Sequence, residues 1–448
     1  MSRRKLAGSL ILALGLGGTA RAQDAAPALN SGDTAWMLTA TALVLLMTIP
    51  GLALFYGGMV RKKNVLATTA QSFAVTALVS VLWMIIGYSL AFTNGGAFNP
   101  YLGGFGYFML RGLMPQSVYP FVPTIPETVF MCFQMTFAII TPALIAGAFA
   151  ERMKFSALLL FMSAWLLLVY APIAHWVWYS ADGKAETSGF LFKLGVLDFA
   201  GGTVVHLNAG VAGLVCALVL GPRTGYRARG GHQSEALVPH NVVLSLIGAS
   251  LLWVGWFGFN AGSAGAANAL AGMAMANTQV ATGGAALSWT FAEWALRGKP
   301  SVLGMVSGAV AGLVAVTPAS GFVALDGALY IGLIAGLVCF FAAVYLKRRL
   351  GYDDSLDAFG VHGLGGLTGA ILTGVFAVPA VNSLGTGAIA GNPMQILTQL
   401  EGSAIVAAYT AAVTMLILFA IKSTMGLRVD QAAEIEGLDV ALHGEHVP

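Results

Sequence analysis

Two histidines stand inside stretches otherwise apolar enough to cross a lipid bilayer: His206 in "DFAGGTVVHLNAG" (198–210) and His362 in "DAFGVHG". An ionisable group is costly where water is scarce, and in membrane segments such groups usually mark a substrate path. A neutral imidazole carries one donor and one acceptor, so two facing rings share a hydrogen bond and still offer polar atoms to a small solute. Their unperturbed pKa lies near neutrality, which puts proton transfer within their chemistry. The bland alternative for each is a core histidine satisfied by a backbone carbonyl. Asp198, eight residues before His206, has two roles open to it. It can cap a helix by accepting backbone N–H bonds, or its charge near an entrance can favour a cation. Of the other histidines, His232, His443 and His446 fall in loop or tail, and His175 and His240 fall near helix ends where water reaches them.

The aromatic residues narrow the chemistry. "FQMTF" puts Phe133 and Phe137 four apart on one helix face, "WFGFNAGS" supplies Trp256, Phe259 and Ser263, and Trp178 closes another apolar run. Such spacing commonly serves packing or lipid contact, yet aromatic faces beside a hydroxyl also describe a site for a small cation. No carboxylate pair, nucleophile with a base or phosphate loop accompanies them, so the pattern points to no enzyme and no cofactor. Cys132, Cys216 and Cys339 lie in apolar runs without metal-ligand spacing, which predicts buried thiols, no disulfide and no metal.

Composition dictates what must position these groups. Only 9% of the 448 residues are charged and 57% are hydrophobic, against about 25% charged in a soluble domain. The chain is therefore an all-α polytopic membrane protein, and its net charge of +3 gives no reason to expect a nucleic-acid partner. Residues 1–22 have the basic start, short apolar core and "ARA" end of a cleavable signal peptide. Residues 23–33 form an external N-terminal segment, 34–424 the transmembrane domain and 425–448 a cytoplasmic tail. Eleven apolar runs of spanning length follow, near 34–58, 66–92, 126–149, 155–178, 200–221, 237–261, 271–296, 301–317, 327–346, 355–377 and 401–424. Basic residues crowd one set of connections: Arg61 to Lys63, Arg152, Lys154, Arg223, Arg227, Arg229, Arg297, Lys299, Lys347 to Arg349, Lys422 and Arg428. The opposite set holds only Arg111, Lys184 and Lys193. The positive-inside rule then places the N-terminus outside and the C-terminus in the cytoplasm, as an odd number of spans requires.

His206 and His362 share the register His-x3-Gly-x2-Gly and lie in the fifth and tenth spans. An offset of five inverts the second copy, giving two inverted five-helix repeats plus a final helix. At about 1.5 Å per residue, His206 lies roughly 12 Å inward from Asp198 and His362 roughly 20 Å from the Lys347–Arg349 cluster, so the rings can meet near mid-depth. Gly304, Gly308 and Gly312, and Gly332 with Gly336, have the small-xxx-small spacing of close helix contacts, here expected within one subunit.

Six motifs in order, "YGGMVRKKN", "AERMKF", "DFAGGTVVH", "WVGWFGFNAGS", "DAFGVHG" and "GLDVALHGE", resemble the ammonium transporter family from about residue 34 to the C-terminus. The resemblance implies the eleven-helix inverted-repeat fold, a homotrimer in the inner (plasma) membrane with one pore per subunit, and ammonium or ammonia as substrate. It implies that Trp178, Phe137 and Ser263 recruit ammonium, that Phe137 and Phe259 form a stacked gate with Phe133 and Trp256 nearby, that His206 and His362 are the pore histidines, and that Asp198 supports recruitment. It also implies deprotonation on the way in, because desolvating a cation is costly while neutral ammonia is not, and a PII signal protein as partner at the cytoplasmic face. The link "YSADGKAETSGFLFKLGVL" (179–197) is longer and more charged than the family's usual one and bears on where Trp178 sits. The alternative function is an ammonium sensor acting through its cytoplasmic face.

Overall fold

The computed structural model describes residues 29–226 and 237–447. The proposed signal peptide, and Arg227, Arg229 and His232 of the basic loop, lie outside the described residues. Among those described, nine helices are long and apolar enough to cross a membrane: α1 Ser31–Met59, α2 Lys62–Phe92, α3 Glu127–Phe149, α4 Phe155–Trp178, α5 Gly202–Leu220, α6 Val242–Gly262, α9 Leu325–Leu350, α10 Phe359–Phe376 and α11 Met394–Thr424. Two more complete the series. The 29-residue α7, Ala269–Arg297, is less apolar, with Asn277, Thr278 and Glu293 buried along it. The 15-residue α8, Val302–Val316, is apolar but short. Asn30, Asn241, Asn268 and Ser301 open α1, α6, α7 and α8 by accepting the N–H three residues on, at 2.9–3.0 Å.

Helix α11 begins seven residues earlier than its apolar run suggests. The added turns carry Gln395 and Gln399, which are buried because their amides meet backbone partners: hydropathy missed turns that hydrogen bonding stabilises. A correction concerns Cys132, which is exposed on α3, whereas Cys216 and Cys339 are buried. His175 is likewise buried rather than wetted, because both ring nitrogens face backbone carbonyls, Ala91 at 2.8 Å and Asn99 at 2.6 Å.

The glycines on α8 and α9 are spent inside the chain. A Cβ on Gly308 or Gly312 would come within 2.6 Å of the Trp289 or Ala285 Cβ on α7, and one on Gly332 would lie 2.1 Å from the Ala281 carbonyl. Backbones pack there at a distance no larger residue permits.

Helices α5 and α10 cross at the centre and run in opposite directions, each opened by a buried aspartate at its own end of the bundle. Asp198 caps α5 and Asp354 caps α10. At the crossing a Cβ on Gly210 would lie 2.1 Å from the Gly363 nitrogen, and one on Gly366 would lie 2.6 Å from the Gly202 carbonyl. Each helix thus receives the other at the same glycine of the shared register, as expected of two inverted repeats. Below, "vestibule end" means the end bearing Asp198, and "basic end" the opposite one.

At the basic end, Glu151 accepts from Arg61 at 3.1 Å and Arg223 at 3.2 Å, and Arg223 reaches Asp353 at 2.8 Å. Burial pushes the Glu151 and Asp353 carboxyls up, but Arg223, with Arg61 beside Glu151, outweighs it and holds both below the usual carboxylate range. The tail folds back over this network through α12, Gln431–Glu436, and α13, Leu438–His443. Asp439 accepts from the Leu66 and Ala67 amides at 3.1 and 2.8 Å, capping α2 from 373 and 372 residues away in sequence.

Candidate functional site

The site is built where the two capped helices meet. Gly201, at φ +115°, turns the chain sharply into α5, and the Asp198 carboxylate accepts the N–H groups of Gly201, Gly202, Thr203 and Val204 at 2.7–3.0 Å. A helix normally leaves its first four N–H groups unsatisfied, and one side chain here takes four donors. Asp198 is only 6% exposed, so its carboxylate is committed to the helix start even though it borders the vestibule cavity. Burial raises its pKa above the ordinary aspartate value, against the pull of the four amides.

Directly above α5, a cavity of about 480 Å3 opens at the vestibule end. Phe133, Phe137, Trp178, Asp198 and Ser263 all border it. The indole N–H of Trp178 donates to the Asp198 carbonyl at 2.9 Å, fixing the ring despite the long 179–197 link. Trp178 meets Phe137 edge-on at a centroid distance of 5.8 Å, and Phe133 meets Phe137 at 4.9 Å. The Ser263 hydroxyl donates to the Phe259 carbonyl at 2.8 Å, leaving its lone pairs toward the cavity.

Phe137 borders the floor of the cavity and Phe259 packs against it, with centroids 4.3 Å apart and planes tilted by 36°. Both are buried. Beneath them His206 stacks on Phe259 at 5.9 Å, with planes 29° apart, and on Trp256 at 5.3 Å, with planes 19° apart, and Trp256 is fixed by its N–H to the Thr317 hydroxyl at 2.9 Å. The Nδ1 atoms of His206 and His362 are 3.3 Å apart, with the rings 15° from parallel. Facing Nδ1 atoms at that distance require one to donate and the other to accept. The donating ring then keeps a bare Nε2 acceptor and the accepting ring an Nε2–H donor, so the pair presents one of each. The His206 Nε2 is buried and has no protein partner. Its position would be satisfied by a small polar solute. On the other side His362 borders a cavity of about 40 Å3 that leads toward the basic end.

Trp178, Phe137, Phe259, His206 and His362 are therefore joined by successive contacts from the vestibule to the crossing, with Phe133, Ser263, Asp198 and Trp256 beside them. The Ammonium Transporter Family model matches residues 35–447. The chain is 50% identical over 422 residues to an ammonium transporter of Aquifex aeolicus, covering 93% of each. It is 46% identical over 418 residues to one of Bacillus subtilis, covering 93% of this chain and 98% of that one. Among solved structures, Saccharomyces cerevisiae Mep2 aligns with a TM-score of 0.83 at 35% identity, over 90% of this chain and 88% of that one. The chain belongs to the ammonium transporter family. A structure titled "Sensor Amt Protein" also aligns, with a TM-score of 0.83 at 29% identity over 92% of this chain and 98% of that one.

Three positions in this family member were not singled out from sequence. Asp354 accepts the Ala358 and Phe359 amides at 3.0 and 2.7 Å and stands eight residues before His362, as Asp198 stands eight before His206. The full repeat is therefore Asp-x7-His-x3-Gly-x2-Gly, and extending the register upstream would have found it. Burial, with Asp357 adding to it, raises the Asp354 carboxyl to about 6. Gln399 of α11 grips Leu197 like a paired strand: its Oε1 accepts the Leu197 N–H and its Nε2 donates to the Leu197 carbonyl, both at 2.7 Å. A second bond from Nε2 to the Ala370 carbonyl, 3.1 Å, ties α10 to the segment that carries Asp198. No sequence spacing connects residues two hundred positions apart. The third is Asp357, at the mouth of the basic end.

Proposed function

We propose that this protein transports ammonium, recruiting the cation at the aromatic vestibule and passing ammonia between the two imidazoles. Trp178 and Phe137 offer ring faces to a small cation, and Ser263 offers a hydroxyl acceptor. The closely packed, buried Phe137 and Phe259 rings leave no room for water, and an ammonium ion crossing them must shed its hydration shell without a compensating counter-ion. That desolvation favours leaving the proton behind. Ammonia both donates and accepts, which complements the acceptor and donor that the imidazole pair presents. The observation that carries the reading is the buried His206–His362 contact at 3.3 Å, set beneath an aromatic floor in a chain of this family.

By the distribution of basic residues, the vestibule end faces outward and the basic end the cytoplasm of the cell carrying the protein in its inner membrane. A homotrimer and a PII protein at the basic end follow the family resemblance, and residues 1–22 are assigned as a signal peptide on their own composition. Ammonium-driven flux and current in proteoliposomes test the function directly. A chain that binds ammonium without conducting it acts as a sensor instead, and the ratio of charge to nitrogen moved tells whether the proton follows by another route.

A further inference from the structure

The path continues past His362 into the 40 Å3 cavity, which is bordered by Tyr56, Ser307, Val310 and Asp357. A second cavity of about 210 Å3 lies beyond it, with Ser307, Asp357, Lys347, Arg348, Glu293 and Arg297 on its walls. Asp357 borders both, so it stands where the narrow path opens toward the basic end. It sits at φ +59°, a left-handed conformation uncommon for a residue with a side chain, which turns it out of the α10 start that Asp354 caps.

The Asp357 carboxylate is already occupied. Lys347, on the last turn of α9, places its ammonium group against Asp357 Oδ1 and donates a second bond to the Asp354 carbonyl at 3.2 Å. The lysine side chain is 9% exposed and the aspartate 35%. Chemically this is a primary ammonium held by one carboxylate and one carbonyl, a donor set that would serve a free ammonium ion equally well. The other charges facing the mouth are Arg348 and the Arg297–Glu293 pair, whose nitrogen and oxygen are 3.1 Å apart. The Glu293 carboxylate is further engaged by Ser301.

We infer that Lys347 is a tethered ammonium that fills a cation site at the inner mouth, preventing ammonium on that side from settling beneath the imidazole pair. The inference rests on the transport reading above and adds a direction to it. The vestibule end offers an open aromatic cavity to ammonium, while the opposite mouth presents its cation site filled by the protein itself. Removing the lysine head group would leave Asp357 bare and convert the mouth into a binding site for ammonium from the product side.

The test uses the full chain in right-side-out vesicles from cells without other ammonium transporters. Uptake of 15N-labelled ammonium is measured with and without unlabelled ammonium preloaded inside. For K347M we expect the internal concentration that halves uptake to fall at least about threefold relative to the unsubstituted protein. K347R, which keeps the cation, and K347M/D357N, which removes the site altogether, should match the unsubstituted protein; restoration by the second substitution separates a site effect from damage to the fold. If K347M does not assemble, K347C in a Cys132→Ala background, measured before and after aminoethylation, supplies the comparison, since the reagent rebuilds a primary ammonium at 347 and the exposed Cys132 thiol is removed. Internal inhibition that is the same in K347M, or in K347C before and after treatment, as in the unsubstituted protein overturns the inference while leaving transport intact. Absence of any uptake by the unsubstituted protein would instead remove the transport reading on which it rests.

Discussion

Replacing Asp198 probes the join between fold and site. Its two oxygens accept four amides, Gly201 and Gly202 on Oδ1 and Thr203 and Val204 on Oδ2, all buried. Asp198→Ala strands four buried donors. At about 1–3 kcal/mol for each donor left unsatisfied, the loss is at least about 4 kcal/mol, well above the ~1 kcal/mol typical of a single helix cap. Asp198→Asn keeps one carbonyl oxygen, which retains two of the four amides, and turns an N–H2 toward the other two. Its loss should be about half that of the alanine variant, roughly 2 kcal/mol on the same scale. Thermal unfolding of the purified protein in detergent, followed by tryptophan fluorescence, should therefore rank the unsubstituted protein above Asp198→Asn and Asp198→Asn above Asp198→Ala. Flux should follow the same order, because the Asp198 carbonyl also holds Trp178. Equal unfolding temperatures for the two variants would refute the claim that the carboxylate works by counting amides, and would return its role to charge alone.

Replacing His206 or His362 with alanine should impair flux or its selectivity while size-exclusion chromatography still shows an intact assembly; unaltered transport in both variants would remove the imidazole pair from the path. Gln399→Met should raise the half-saturating ammonium concentration with little change in maximal flux, because it loosens the segment carrying Asp198, whose carbonyl holds Trp178, while the imidazole pair keeps its contacts; a drop in maximal flux alone would contradict this. Glu151 and Asp353 are held below their ordinary carboxylate values, so the stability they contribute is present above about pH 4.5 and is lost as pH falls through that region. Unfolding temperatures measured from pH 6 down to pH 3.5 should fall less steeply in Glu151→Gln. Asp354 has the opposite sign, since its carboxyl is raised to about 6: its contribution is complete below the ordinary aspartate range and fades as pH rises through 6.

The fold was legible because lipid imposes so few options. Apolar length and basic bias are written residue by residue, so the spanning runs and the inverted repeat can be read from composition and register. The fifth and tenth helices announced themselves through His206 and His362, ionisable groups that no generic span would tolerate. What the sequence hid were bonds between distant segments that use ordinary residues. Gln399 reads as a polar residue preceding a helix, and only folding reveals it as the clamp on Leu197. Lys347 reads as one of several basic residues at a membrane boundary, and its burial against Asp357 depends on the left-handed turn at Asp357 itself. His175 was misread for the same reason: its partners are carbonyls of another segment, Ala91 and Asn99.

The contact of Gly210 with Gly363, and of Gly366 with Gly202, brings the two central helices together through backbone atoms, with the His206–His362 pair set beside them. A joint closed by backbone atoms has little to repack, so it leaves less room to rock than a hinge of interlocking side chains. The middle of the molecule is in that sense a fixed orifice, and the parts free to differ are its two rims. Two inverted repeats by themselves give matching rims; here one ends in an aromatic basin and the other in a lysine lodged against an aspartate. A symmetric frame has thereby acquired a polarity without altering the crossing of its two central helices.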